Sequence, residues 1–85
     1  MKLLQFIIEV EANTGVDTRD VCINLVEMAK RLGCCIKCDI NGVMTYAYPG
    51  DSPEHLHHAW SKALRSDDKI KLAFALGGKD KTHVD

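Results

Sequence analysis

Eighty-five residues with a formal net charge of -1 describe one small domain, because a chain this short closes around a single hydrophobic core. The short length excludes a catalytic cleft between two domains. The net charge excludes the overall basic surface that most nucleic-acid binders carry. The apolar fraction of 46% and the charged fraction of 27% are typical of folded, soluble domains. We expect one domain over residues 1–78 and a flexible tail over residues 79–85.

The first two predicted elements are a strand and a helix. Residues 3–11 alternate their side chains with period two, which predicts a strand. Asp17 or Thr18 can cap the helix that follows, in which apolar residues recur at steps of three and four until Gly33. A glycine at that point is typical of the left-handed residue that ends a helix.

A β-hairpin is predicted next. Residues 34–40 alternate again, and Asn41-Gly42 is the favoured pair for a two-residue turn that needs positive φ. Residues 43–48 should therefore fold straight back as an antiparallel strand.

The second half of the chain repeats the pattern of helix and strand. Ser52-Pro53 combines a capping residue with proline at the first helical position, so a second helix should begin there. Residues 69–76 alternate bulky apolar side chains with lysine and alanine, which favours a fourth strand, although a short helix is also compatible with them. In the strand interpretation, the bulky side chains face the helices and Lys71 faces away from them.

The resulting order, β-α-β-β-α-β, resembles the ferredoxin-like split βαβ arrangement. The resemblance implies an α+β sandwich of two layers, with a four-stranded, mostly antiparallel sheet and both helices on one face. It covers nearly the whole chain but is one of topology alone, and this fold carries many unrelated functions.

The sheet surface that the helices leave bare is the candidate binding site. If Ile40 faces the helices, the even-length turn sends Tyr46 and Tyr48 to the opposite side. That surface is unusually apolar and aromatic for one that meets only water, so we expect another protein or a second copy of the chain to cover it. The predicted partner-binding residues are Leu3, Gln5, Ile7, Lys37, Met44, Tyr46, Tyr48 and Lys71.

Three alternatives for this surface stay open, and the first is a face that stays uncovered or is covered by the chain's own tail. Single-stranded nucleic acid could stack on Tyr46 and Tyr48 with lysines nearby, although the third strand lacks the signature of RNA-recognition domains. A shift of the register by one residue would instead turn both tyrosines into the core.

Cysteines and histidines provide a weaker candidate site. Cys35, Cys38, His55 and His58 contain the ligand types of a zinc site. Residues three apart in a strand point to opposite faces, however, so both thiolates could reach one ion only if the strand were broken. We therefore expect no metal, no other cofactor, reduced cysteines and solvated surface histidines.

These patterns predict a small, non-enzymatic binding module of the cytosol that forms a homodimer or docks on a larger protein. Neither a secretion signal nor a membrane-spanning stretch is recognisable, so we expect no membrane partner. A free-standing domain of this size without catalytic residues is similar to many accessory or inhibitor proteins of phages and plasmids. A nucleic-acid-binding regulator and a Cys/His metal-binding domain are the alternatives.

Overall fold

The computed structural model describes residues 7–12 and 15–75, which form four strands and two helices. The predicted α+β class, with one sheet and two helices, is therefore confirmed, whereas residues 3–6 of the first predicted strand and the predicted tail at 79–85 lie outside the described residues. The elements in chain order are β1 (Ile7–Val10), α1 (Thr18–Leu32), β2 (Cys35–Ile40), β3 (Val43–Ala47), α2 (Pro53–Leu64) and β4 (Lys71–Phe74).

Local sequence signals set the ends of both helices. Asp17 caps α1, because its carboxylate accepts a hydrogen bond of 2.8 Å from the backbone N–H of Arg19. α1 ends before Gly33, whose φ of 69° is left-handed. Ser52 caps α2 and Pro53 occupies its first turn, as predicted.

The hairpin turn is also formed as predicted. Asn41 and Gly42 have φ angles of 53° and 87°, and two consecutive positive values are characteristic of a type I′ turn. Ile40 pairs with Val43, and the antiparallel pairing continues from there along both strands. The register of β2 and β3 therefore agrees with the sequence prediction.

The order of strands in the sheet is β1-β2-β3-β4, and their pairing departs from the prediction. β1 pairs with β2 in parallel, β2 with β3 antiparallel, and β3 with β4 in parallel. The prediction of a mostly antiparallel sheet is therefore wrong. The ferredoxin-like order is not confirmed, since the two strands of each βαβ unit are direct neighbours and are not split by another strand.

Both helices cover the same face of the sheet, because their buried residues join a single hydrophobic core. The chain advances across the sheet in one direction, while the strands of the second βαβ unit run opposite to those of the first. The crossover of the second βαβ unit therefore has the opposite hand to that of the first. One of the two crossovers is therefore left-handed, which is the rare hand for such a connection.

The core between sheet and helices consists mostly of medium-sized apolar side chains. Ile36, Val43 and Leu56 are all 0% exposed. The largest core residue, Trp60 of α2, donates a hydrogen bond of 3.0 Å from Nε1 to the carbonyl of Ile40. Because Ile40 ends β2, this bond fastens α2 to the sheet directly beside the hairpin turn.

Candidate binding surface on the outer sheet face

The sheet face opposite the helices, here called the outer face, carries the residues that alternate with the core residues. Register partners on neighbouring strands share a face, so the pairing places each residue unambiguously. The outer-face residues of the four strands are Ile7, Glu9, Cys35, Lys37, Asp39, Met44, Tyr46, Leu72 and Phe74.

One row of side chains crosses all four strands. Glu9, Lys37, Tyr46 and Phe74 are register partners in that order. The ammonium of Lys37 lies 4.0 Å from the carboxylate of Glu9 and 5.9 Å from the ring centroid of Tyr46. The rings of Tyr46 and Phe74 stack, with centroids 4.6 Å apart and planes 7° apart. The row therefore changes from charged at β1 to aromatic at β4.

The part of the outer face formed by β3 and β4 is its apolar half, defined by Met44, Tyr46, Leu72 and Phe74. Met44 pairs with Leu72 in the row beside the aromatic stack. Leu72 is 47% exposed, and the other three side chains are partly exposed. A contiguous set of large apolar side chains in contact with solvent is typical of an interaction surface.

Tyr48 follows β3, and its hydroxyl interacts with the thiol of Cys35, which is only 5% exposed although it lies on the outer face. Burial raises the pKa of the Cys35 thiol, while a hydrogen bond from Tyr48 acts in the opposite direction. Burial, and then the same hydrogen bond, raise the pKa of Tyr48. The backbone N–H of Tyr48 also donates to the carboxylate of Asp51 at 2.8 Å. These contacts fix Tyr48 within its own chain.

The strand pairing places four of the eight predicted partner-binding residues on the outer face, and it places Lys71 on the opposite side. Lys71 pairs with Val43 on the helix-covered side, where its ammonium donates a hydrogen bond of 2.8 Å to the carbonyl of Leu64. Leu3 and Gln5 lie outside the described residues. The residues that lie on the outer face as predicted are Ile7, Lys37, Met44 and Tyr46.

The prediction of which β4 side chains face the helices is wrong. Ala73 is 1% exposed and faces the helices, whereas Leu72 and Phe74 point to the outer face. The α2 residues packed against the same core include Ala59 and Ala63, so helix and strand approach through small side chains. Leu72 and Phe74 are thus the surface residues that the sequence analysis missed, and only the pairing of β4 with β3 identifies them.

The cysteines and histidines do not form a common site. Cys35 lies on the outer face and Cys38 in the core, as expected for strand residues three apart, and His55 and His58 are exposed on α2. Among residues 7–12 and 15–75, no group of three or more His, Cys, Asp or Glu side chains could hold a metal ion. The four cysteines are free thiols.

A separate polar contact joins the two helices. Thr18 Oγ1 lies 3.2 Å from His57 Nε2, and the His57 ring packs on Trp60 with centroids 5.3 Å apart. A hydroxyl beside an imidazole is also part of a nucleophile-base pair, but such a pair further requires a group that orients the imidazole. We assign this contact the structural role of fastening the first turn of α1 to α2.

Comparison of the chain with protein-family models, with curated proteins and with solved structures finds no match. In the described part of the chain, neither helix has the length and apolar character needed to cross a bilayer. Function is therefore inferred from the outer face itself.

Proposed function

We propose that this protein is a small, non-enzymatic binding module of the cytosol that associates with a second copy of itself through the apolar half of the outer face. The observation that carries the proposal is the stack of Tyr46 on Phe74, flanked by Met44 and Leu72, on the side of the sheet opposite the helices. Aromatic and methionine side chains are enriched in protein interfaces. Contacts between such side chains of the two copies remove apolar area from water, which stabilises the dimer.

The small size of the domain supports self-association. A chain of 85 residues buries a smaller share of its surface than a larger domain does, so its single core leaves only modest stability. Oligomerisation is one of the common ways in which small domains gain further apolar burial. A second copy is always present at the concentration of the protein itself.

Stacking of single-stranded nucleic acid is the second candidate, because Tyr46 lies beside Lys37. Phe74 on β4 stacks against Tyr46, and the ammonium of Lys37 approaches the Tyr46 ring from β2 on the other side. A base could therefore stack on Tyr46 only after displacing one of these neighbours. The net charge of -1 also provides little attraction for phosphates, so protein contact is the better supported function.

A matched pair of leucine variants tests the proposal. Leu72→Lys adds a charge to the apolar half at a side chain that is 47% exposed, so the monomer should fold normally. Leu32→Lys makes the same change at the end of α1, where the side chain is 55% exposed, and serves as the control. Sedimentation velocity over a concentration series should show a dimer for the wild type and the control. The Kd of Leu72→Lys should be at least about tenfold higher, equivalent to about 1.4 kcal/mol.

Two results would contradict the proposed dimer. One is a wild-type chain that sediments as a monomer up to about 1 mM, the weak limit of specific association. The other is an equal Kd for both lysine variants. A response of tyrosine fluorescence to oligonucleotides that weakens steeply with salt would favour the nucleic-acid candidate instead.

A further inference from the structure

Within the proposed dimer, we infer that the two copies join through the edges of their β4 strands, which pair antiparallel and combine the two four-stranded sheets into one continuous sheet. This inference rests on the proposed function and specifies the contact. Three observations support edge pairing: β4 lies at an edge of the sheet, the two edges differ in charge, and the apolar half is small.

The edge formed by β1 carries charges that oppose pairing. β1 and β4 are the two edge strands of the described sheet, and edge strands present unpaired N–H and C=O groups that charged side chains commonly protect. The Glu9 side chain on β1 is 63% exposed, and Glu11 immediately after the strand is also exposed. Antiparallel pairing of two β1 strands would bring these carboxylates close to their copies, which is unfavourable.

The edge formed by β4 has no such protection on its outer face. The charged residue of β4, Lys71, lies on the helix-covered side, where its ammonium is bonded to the carbonyl of Leu64. The outward residues of β4 are Leu72 and Phe74, and Ile70 just before the strand is 76% exposed. The β4 edge is therefore apolar and free of like-charge repulsion.

Antiparallel pairing centred on Ala73 suits these side chains. It places Leu72 of each copy opposite Phe74 of the other on the outer face, and cross-strand pairs of aromatic and aliphatic side chains stabilise sheets. Ala73 then lies opposite its own copy on the helix-covered side, where its small side chain lets the strands approach. The contacts between Leu72 and Phe74 of the two copies remove apolar area of β4 from water.

The size of the apolar half favours edge pairing over stacking of two outer faces. Two strands spaced about 4.8 Å apart, with about four residues each, span a projected area on the order of 130 Å². A standard interface buries about 800 Å² of accessible surface on each partner, which is a larger measure than projected area but is still more than four partly exposed side chains provide. Hydrogen bonds between main chains supply affinity that such a small patch cannot supply alone.

A distance measurement separates the two geometries. The probe is a spin label at Glu11→Cys in a Cys34→Ser background, because the other three cysteines are buried. Edge pairing separates the two β1 strands by seven strand spacings, or about 34 Å. If the two apolar halves instead stack face to face, the two β1 strands lie about 26 Å apart or closer. The lateral offset between them is then smaller, and it combines with a sheet separation of about 10 Å.

Double electron-electron resonance on the dimer gives this distance directly. A distribution centred near 34 Å supports edge pairing. A distribution at about 26 Å or below, in a dimer that Leu72→Lys weakens, would overturn the edge geometry and leave the proposed function intact. A chain that forms no dimer would overturn both.

Discussion

The two faces of this sheet are built from alternate residues of the same strands, yet the chain covers them very differently. On the helix-covered face, Ile36, Val43 and Ala73 are at most 1% exposed. On the outer face, Leu72 is still 47% exposed, and the Tyr46 ring packs mainly on its neighbour Phe74. Alternation along a strand decides which residues share a face, whereas the helices decide which face is sealed. Apolar side chains on the unsealed face are available to a partner.

Truncating one leucine of the core and one leucine of the outer face should give the largest measurable difference between the covered and the exposed side of the sheet. Leu56 is 0% exposed, and Leu56→Ala should lower the free energy of unfolding by about 3 kcal/mol, because the lost methyl groups leave a cavity. Leu72→Ala should lower it by less than about 1 kcal/mol, because much of that side chain is already in water. Urea denaturation at low protein concentration, where the proposed dimer dissociates, measures both values.

Leu56→Met provides the control if Leu56→Ala fails to fold. It nearly conserves volume and should cost less than about 1.5 kcal/mol. Equal losses for Leu56→Ala and Leu72→Ala would mean that the outer face is packed as tightly as the core.

Alkaline pH should act on the helix-covered side through Cys22. Burial, and then the nearby Cys38 thiol, raise the pKa of Cys22 from 9.0 to about 11. The folded state therefore keeps a proton that the unfolded state releases above about pH 9, so this contribution to stability is fully present below that pH and falls as the pH rises. The expected loss from Cys22 is about 2 kcal/mol at about pH 10.5.

Unfolding curves of the wild type and Cys22→Ala at about pH 8 and about pH 10.5 test this expectation. Other groups also titrate in this range, so the informative quantity is the difference between the two declines in stability. The decline should be about 2 kcal/mol smaller in the variant. Parallel declines would show that the buried thiol contributes nothing to alkaline unfolding.

The features that could be predicted from sequence have local causes. Asp17, Gly33 and Ser52 mark helix ends through contacts within a few residues, and Asn41-Gly42 sets the hairpin. Because a two-residue turn leaves no freedom of register, the outward direction of Tyr46 also followed from sequence. This part of the candidate surface was therefore predictable.

The failed predictions depend on contacts between distant segments. β4 is joined to β3 through α2, so no tight turn sets its register, and the alternation of Leu72 and Phe74 with alanine favoured the wrong side. The order of strands was not predictable either, since the preference for right-handed crossovers opposes an arrangement in which one crossover is left-handed. The half of the surface formed by β4 therefore emerged only from the structure.

The smallest effect is expected where the outer face is most polar. Glu9→Gln removes the ion pair with Lys37, whose atoms are 4.0 Å apart and whose side chains are 63% and 28% exposed. Because solvent and salt screen such a pair, the free energy of unfolding should change by no more than about 0.5 kcal/mol.

Lys37→Gln should cost more, up to about 1 kcal/mol, since it also removes the ammonium beside the Tyr46 ring. Urea denaturation in low and high salt separates the two contributions: only the ion-pair part should vanish in high salt. A Glu9→Gln variant that loses more than Lys37→Gln would mean that the charged end of the row, and not its aromatic end, organises the outer face.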